Sequence, residues 1–285
     1  MIIHRDPLSA VHMGDCLDAK FADEVMGGRR ADALIFDAPY GSKVHEGHAA
    51  GFSNGLNTRS LANYAKRSPK QGNALLRYAH RVAAGAVQGR RDIAYEAFDE
   101  NKIAAFCSVW LPHCTGWVVS ITDDTLAPIW KAEFERAGLY AFTALPLVEL
   151  GGRVRLAGDG PSSWTCWIIV ARPRREPYTK WGTLPGAYVQ AAERKSVVGG
   201  KPFRSMCAIV ADYSKRGDLI VDPVCGGGGT LAAAKHLGRR SIGIDRDELH
   251  AKLSAKRVAK THEQMSLFEA SPIEPMRQLS LLGEP

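Results

Sequence analysis

Residues 219–230 read L-I-V-D-P-V-C-G-G-G-G-T, and this stretch decides the fold. Leu219, Ile220 and Val221 make a short apolar run of the kind that fills a parallel strand covered on both faces. Four glycines follow, then Thr230 and an alanine-rich, helix-like segment. Glycine at such a place lets the backbone turn tightly and lets a ligand approach it, with helix amides directed at that ligand. The next apolar run, S-I-G-I-D at 241–245, ends on Asp245. Strand, glycine turn, helix and strand form one βαβ unit of a doubly wound, mostly parallel α/β sheet of the Rossmann-like type. A glycine-rich turn that holds no ligand is the plain alternative.

The residues around the glycines narrow the ligand. A phosphate-cradling loop needs a lysine followed by Ser or Thr after the glycines, and none stands there. The dinucleotide fingerprint also fails: Gly226 and Gly228 fit it, but Leu231 occupies its third glycine position. Asp222 would repel a pyrophosphate and attract an ammonium group. Asp245, at the end of the following strand, is placed to take ribose hydroxyls. A ligand with a ribose, an amino acid moiety and no phosphate fits, and S-adenosylmethionine has those properties.

Upstream, A-D-A-L-I-F-D-A-P-Y-G at 31–41 repeats the pattern of a buried run ending in an acid. Asp37 at the carboxyl end of such a strand sits where open α/β sheets hold ligands, although Asp and Pro are also ordinary turn residues. Further strands are expected at 8–17, 117–121, 141–150 and 164–171. Helices are expected over about 126–137, ended by Gly138, and over 202–215 and 230–237. Residues 41–75 have no steady period and read as loop or insertion.

The chain has 285 residues, 45% hydrophobic and 24% charged, which suits one large soluble domain with an insertion. Its charge of +7 permits a polyanionic partner. Between Lys43 and Arg91 stand nine Lys or Arg against one acid, Glu46, which reads as a solvated surface or a nucleic-acid contact. The six cysteines include no C-x-x-C pair, and His45 and His48 have no third ligand nearby, so no metal site is expected. No apolar run reaches transmembrane length and none looks like a signal peptide, so a cytoplasmic setting without membrane is expected.

Four motifs together resemble one family, the amino-group DNA methyltransferases. D-A-P-Y at 37–40 resembles their D-P-P-Y, and D-P-V-C-G-G-G-G-T at 222–230 resembles their cofactor loop. Lys201-Pro202 matches the Lys-Pro that precedes that loop, and Gly14-Asp15-Cys16 matches a Gly-Asp-Cys upstream of the catalytic motif. The order, catalytic motif first and cofactor loop last, is that of the beta class. Ala38 replaces the first proline of D-P-P-Y, Val224 the usual phenylalanine, Gly227 a serine and Gly229 a threonine. Alanine still supplies a carbonyl at 38, and Pro39 biases it toward an extended conformation.

The resemblance implies a domain over 1–260 that moves a methyl group from S-adenosylmethionine to an exocyclic amino group in double-stranded DNA. Asp37 and the Ala38 carbonyl would accept hydrogen bonds from that group, with Tyr40 stacking on a flipped-out base and Pro39 shaping the turn. It further implies Asp15 and Cys16 near the adenine ring of the cofactor, Lys201 and Thr230 near the methionine carboxylate, and Asp222 near its amino group. Pro202, Val224, Gly226, Gly228 and Asp245 complete the cofactor set. An aspartate at 37 favours adenine N6 over cytosine N4, and a silent DNA-binding module on the same fold is the rival. Target recognition is expected from 172–200 together with the basic insertion at 41–100. The flexible tail, 261–285, carries Q-M-S-L-F at 264–268 and Q-L-S-L-L at 278–282, which resemble peptides that dock on bacterial sliding clamps, or which pack on the domain itself or on a second subunit of a homodimer. No nuclease motif is present, so a restriction-modification partner would be a separate polypeptide.

Overall fold

The computed structural model describes residues 1–42, 66, 69, 96–151, 165–174, 181–193 and 200–263. Nearly all of the basic insertion, part of the 172–200 segment and both tail peptides lie outside the described residues.

The described chain runs β1 (Ile2–Arg5), β2 (Ser9–Met13), α1 (Ala19–Met26), β3 (Ala31–Asp37), α2 (Glu100–Trp110), β4 (Cys114–Thr122), α3 (Ala127–Arg136), β5 (Leu139–Ala141), β6 (Leu145–Leu150), β7 (Thr165–Pro173), β8 (Tyr188–Ala191), α4 (Phe203–Tyr213), β9 (Leu219–Asp222), α5 (Gly229–His236), β10 (Arg240–Asp245) and α6 (Glu248–Lys260). The strands form one sheet in the order β1-β2-β10-β9-β3-β4-β7-β6-β8, with β5 also on β7. From β2 to β4 the neighbours are parallel, and antiparallel pairing enters where β7 joins β4, β5 and β6.

Two hydrophobic layers enclose the sheet, as the uninterrupted apolar runs of β3 and β9 require. Phe36, Leu34 and Val118 pack with α1, α2 and α3 through Met26, Phe106, Trp110 and Trp130. Ile35, Val119 and Ile220 pack on the opposite side against Met206, Ile209 and Tyr213 of α4 and Ala233 of α5. The Phe36 ring lies 4.8 Å from that of Phe106 and 5.3 Å from that of Trp130, centroid to centroid. Such an aromatic cluster anchors the strand that ends at Asp37. Helix starts are fixed by aspartates: Asp18 accepts from the Lys20 and Phe21 amides, and Asp99 and Asp247 do the same work for α2 and α6.

Two expectations need correction. The single strand read over 141–150 is two, because β5 ends at Ala141 and β6 begins at Leu145. The strand expected over 164–171 runs on to Pro173, and within 172–200 Tyr188–Ala191 forms β8, parallel to β6. The prolines of that segment hid this strand, which long-range pairing stabilises; among the described residues β8 lies at the sheet edge beside β6.

Candidate active site

The sheet order reverses its direction of growth between β9 and β3. Chain order carries β9 to β10 on one side and β3 to β4 on the other, and ligands of open α/β sheets lie outside the carboxyl ends at such a switch point. Asp222 ends β9 and Asp37 ends β3, so the glycine loop and the D-A-P-Y turn meet at this crevice.

On the β3 side, both oxygens of Asp37 accept hydrogen bonds from the Lys201 ammonium, at 2.8 Å (Oδ1) and 2.6 Å (Oδ2). The same ammonium lies 4.9 Å from the centre of the Tyr40 ring, a cation–π distance. The Tyr40 hydroxyl donates to Cys166 Sγ on β7 at 3.2 Å, and its carbonyl accepts from the Phe98 amide at 3.3 Å. Just past the turn, the Gly41 amide donates to Asp123 Oδ2 at 2.7 Å. The other oxygen of Asp123 accepts from the Thr125 amide and hydroxyl and from the Leu126 amide. Asp123 thus ties the catalytic-motif turn to the loop after β4.

On the β9 side, Asp222 is 2% exposed and its carboxyl pKa is pushed up to about 7. Burial is the main cause, opposed by hydrogen bonds from the Thr230 hydroxyl and the Val224 amide and reinforced by the charges of Asp37 and Asp245. The Gly226 amide donates to Asp245 Oδ2 at 2.8 Å, and the Asp247 amide to Asp245 Oδ1 at 2.9 Å. Burial raises the Asp245 carboxyl as well, against those two hydrogen bonds and the nearby His250. The Gly14 amide donates to the Asp245 carbonyl at 3.0 Å, which brings Gly14-Asp15-Cys16 to the same rim. There Asp15 accepts from the Leu17 amide, the Cys16 carbonyl accepts from the Trp110 indole at 2.8 Å, and burial pushes the Cys16 thiol up to about 12.

The arrangement gathers carboxylates at neighbouring strand ends, with Asp222 and Asp245 desolvated, which suits a cationic ligand. Gly226, at φ +48, has nothing within 4 Å of where a side chain would start, so the loop leaves open space beside the Asp245 carboxylate. Gly228, at φ +71, instead turns its back on α6, with the Ser254 backbone 2.9 Å from a would-be Cβ. Among the described residues, no group of three or more His, Cys, Asp or Glu is placed to hold a metal ion.

The structure brings Asp37, Tyr40 and Lys201 together, with Ala38 between the first two, and Asp222, Thr230 and Asp245 together with the Gly14-Asp15-Cys16 turn, the two groups meeting where Asp37 faces Asp222. Pro202 caps the start of α4, where Glu193 accepts from the Phe203 and Arg204 amides. Lys201 meets the D-A-P-Y turn, where its ammonium is engaged by the Asp37 carboxylate. Asp123 and Cys166 were not singled out by the sequence. The T-D-D-T run closing β4 was the available signal for Asp123, an acid at a fourth strand end; Cys166 gives no local signal at all.

Residues 156–257 match the sequence signature of a family described as DNA methylase. The type II methyltransferase M.EcaI of Enterobacter cloacae is 32% identical over 125 residues, covering 40% of this chain and 28% of that protein. M2.DpnII of Streptococcus pneumoniae, also a type II methyltransferase, is 41% identical over 63 residues, 22% of this chain and 24% of its own length. The chain therefore spans about a quarter of the length of these curated relatives. Among solved structures, the M1.HpyAVI–SAM complex superposes with a TM-score of 0.57 at 15% identity, covering 88% of this chain and 99% of that one. The cytosine-N4-specific PvuII DNA methyltransferase does so with a TM-score of 0.55 at 9% identity, over 89% and 87%. Residues 156–257 thus carry the signature of a DNA methylase family, and the fold is that of the solved DNA methyltransferases.

Proposed function

We propose that this chain methylates the exocyclic amino group of adenine in duplex DNA, with S-adenosylmethionine as donor. The observation that carries the reading is the meeting of Asp37 with the Asp222–Asp245 glycine loop at the switch point between β3 and β9. Asp222, Asp245 and the open side of the loop at Gly226 would hold the cofactor, whose ammonium would offset the buried charge of Asp222. When bound, it supplies a methyl group on an electron-poor sulfonium.

The work of the protein is then positioning. An aromatic amino group is a weak nucleophile because its lone pair is shared with the ring. Hydrogen bonds from that nitrogen to the Asp37 carboxylate and the Ala38 carbonyl favour a pyramidal geometry that frees the lone pair. Alignment of the two reactants supplies the larger part of the acceleration. The base must leave the duplex to reach Asp37, and Tyr40 offers the face on which it stacks. Nine cationic side chains between Lys43 and Arg91 are suited to neutralise phosphates around the extruded base.

Digestion of unmethylated, random-sequence duplex DNA incubated with the chain and labelled S-adenosylmethionine tests the reading. Label in N6-methyladenine is expected. Label in N4-methylcytosine would overturn the choice of base, and label in no nucleoside would overturn the activity.

A further inference from the structure

Lys201 contacts the D-A-P-Y half of the site. By resemblance, the lysine of Lys-Pro belongs with the methionine carboxylate of the cofactor. Here its ammonium is 2.6 and 2.8 Å from the two oxygens of Asp37, and its side chain is only 4% exposed. It also lies 4.9 Å from the centre of the Tyr40 ring. Asp37 and Tyr40 are the two catalytic-motif side chains that would hold the target base, and Pro39 with Ala38 stands between them. One cation touches both.

The surroundings make this contact the one that orders Asp37. The strand ends packed at the crevice bring acids: Asp222 from β9, Asp245 from β10 and Asp123 after β4. Asp123 is committed to Gly41, Thr125 and Leu126, and Asp245 to the Gly226 and Asp247 amides. Asp222 repels Asp37. A carboxylate among like charges turns away from them unless a cation holds it. Lys201 is well placed to do so, because Pro202 starts α4 directly after it and Glu193 fixes that helix start through the Phe203 and Arg204 amides.

We propose that Lys201 is a positioning residue for base capture, which holds the Asp37 carboxylate and the Tyr40 ring in their working orientation, and that it is not the residue on which cofactor affinity depends. The proposal rests on the methyltransferase reading above and assigns this lysine to the base-binding half of the site. A second consequence is that Lys201 acts through Asp37, so the two residues form one functional unit.

The test measures two quantities for the full chain: affinity for S-adenosylhomocysteine by calorimetry, and methyl transfer to unmethylated DNA at saturating cofactor. For Lys201→Met, turnover is expected to fall ~100-fold, the loss typical of a misplaced reacting group, with affinity unchanged within about threefold. Lys201→Arg, which keeps a cation at the same place, is expected to recover most of that loss. In an Asp37→Ala background, Lys201→Met is expected to add little, because residues acting as a unit are not additive. A tenfold or greater loss of affinity in Lys201→Met, or unchanged turnover, would overturn the proposal. Should Lys201→Met fail to fold, Lys201→Gln carries the same two readings. Failure of the wild-type chain to bind S-adenosylhomocysteine would overturn the underlying site reading, and so is distinguishable from failure of the lysine assignment.

Discussion

The Gly226 amide donates to Asp245 Oδ2 at 2.8 Å, so the glycine loop after one strand is pinned by the acid that ends the next. The carboxylate expected to take ribose hydroxyls therefore also sets the shape of the loop. Asp245→Ala removes a charged acceptor, a loss of about 1.5–3 kcal/mol per hydrogen bond. Affinity for S-adenosylhomocysteine is expected to drop by roughly 10- to 100-fold, measured by calorimetry. Unchanged affinity would place the ribose elsewhere.

Gly226 and Gly228 separate strain from collision. Both have φ in the left-handed region, but only Gly228 has the Ser254 backbone within 3 Å of a would-be side chain. Gly226→Ala is expected to cost only the backbone penalty, about 1–2 kcal/mol. Gly228→Ala adds displacement of α6 and is expected to lower the melting temperature clearly more than Gly226→Ala. Equal shifts would contradict the loop geometry.

Asp222 makes stability depend on pH. Its pKa in the folded chain, about 7, lies above the ordinary 3.8. The folded state thus holds more protons between about pH 4 and 7, and stability falls as the pH rises through that window. Asp222→Asn keeps an acceptor for Val224 and Thr230 and removes the charge. It is expected to raise the melting temperature at pH 8 by about 3 °C or more, since ~1 kcal/mol moves a chain of this size by a few degrees. The gain should be clearly smaller at pH 5 and absent below about pH 4, and an equal gain at pH 8 and pH 4 would contradict a buried, titrating Asp222.

Asp123 ties the turn after Tyr40 to β4 without facing the crevice as a ligand. Asp123→Ala frees the Gly41 amide and the Thr125 hydroxyl, so the catalytic-motif turn loses its anchor. Turnover is expected to drop ~10- to 100-fold, the scale of a small misplacement of reacting groups, with affinity for S-adenosylhomocysteine unchanged. Loss of affinity in parallel with turnover would indicate collapse of the whole crevice.

The parts legible in sequence were those that local pattern dictates. The apolar runs at 33–36 and 219–221, the glycine loop and the acid at 245 announced three strand ends and a turn, and the structure has β3 and β9 ending side by side at the switch point with β10 next to β9. What could not be read arises from pairing across long stretches of chain. Lys201 and Asp37 are 164 residues apart, and Tyr40 and Cys166 are 126 apart, so no window of sequence contains either contact. Strand β8 was hidden because it owes its form to β6, a neighbour in space, while its own segment is broken by prolines. The antiparallel insertion of β7 likewise follows from tertiary packing rather than from any periodicity in residues 165–173.

The central claim is that Asp37 presents the target amino group to a methyl donor held by the glycine loop. Transfer of labelled methyl from S-adenosylmethionine to unmethylated DNA by wild type and by Asp37→Ala tests it most directly. Robust transfer is expected from wild type and a loss of ~100- to 1,000-fold in the variant, the scale of removing one charge-stabilising group, while both still bind S-adenosylhomocysteine. Transfer by Asp37→Ala at the wild-type rate would contradict it.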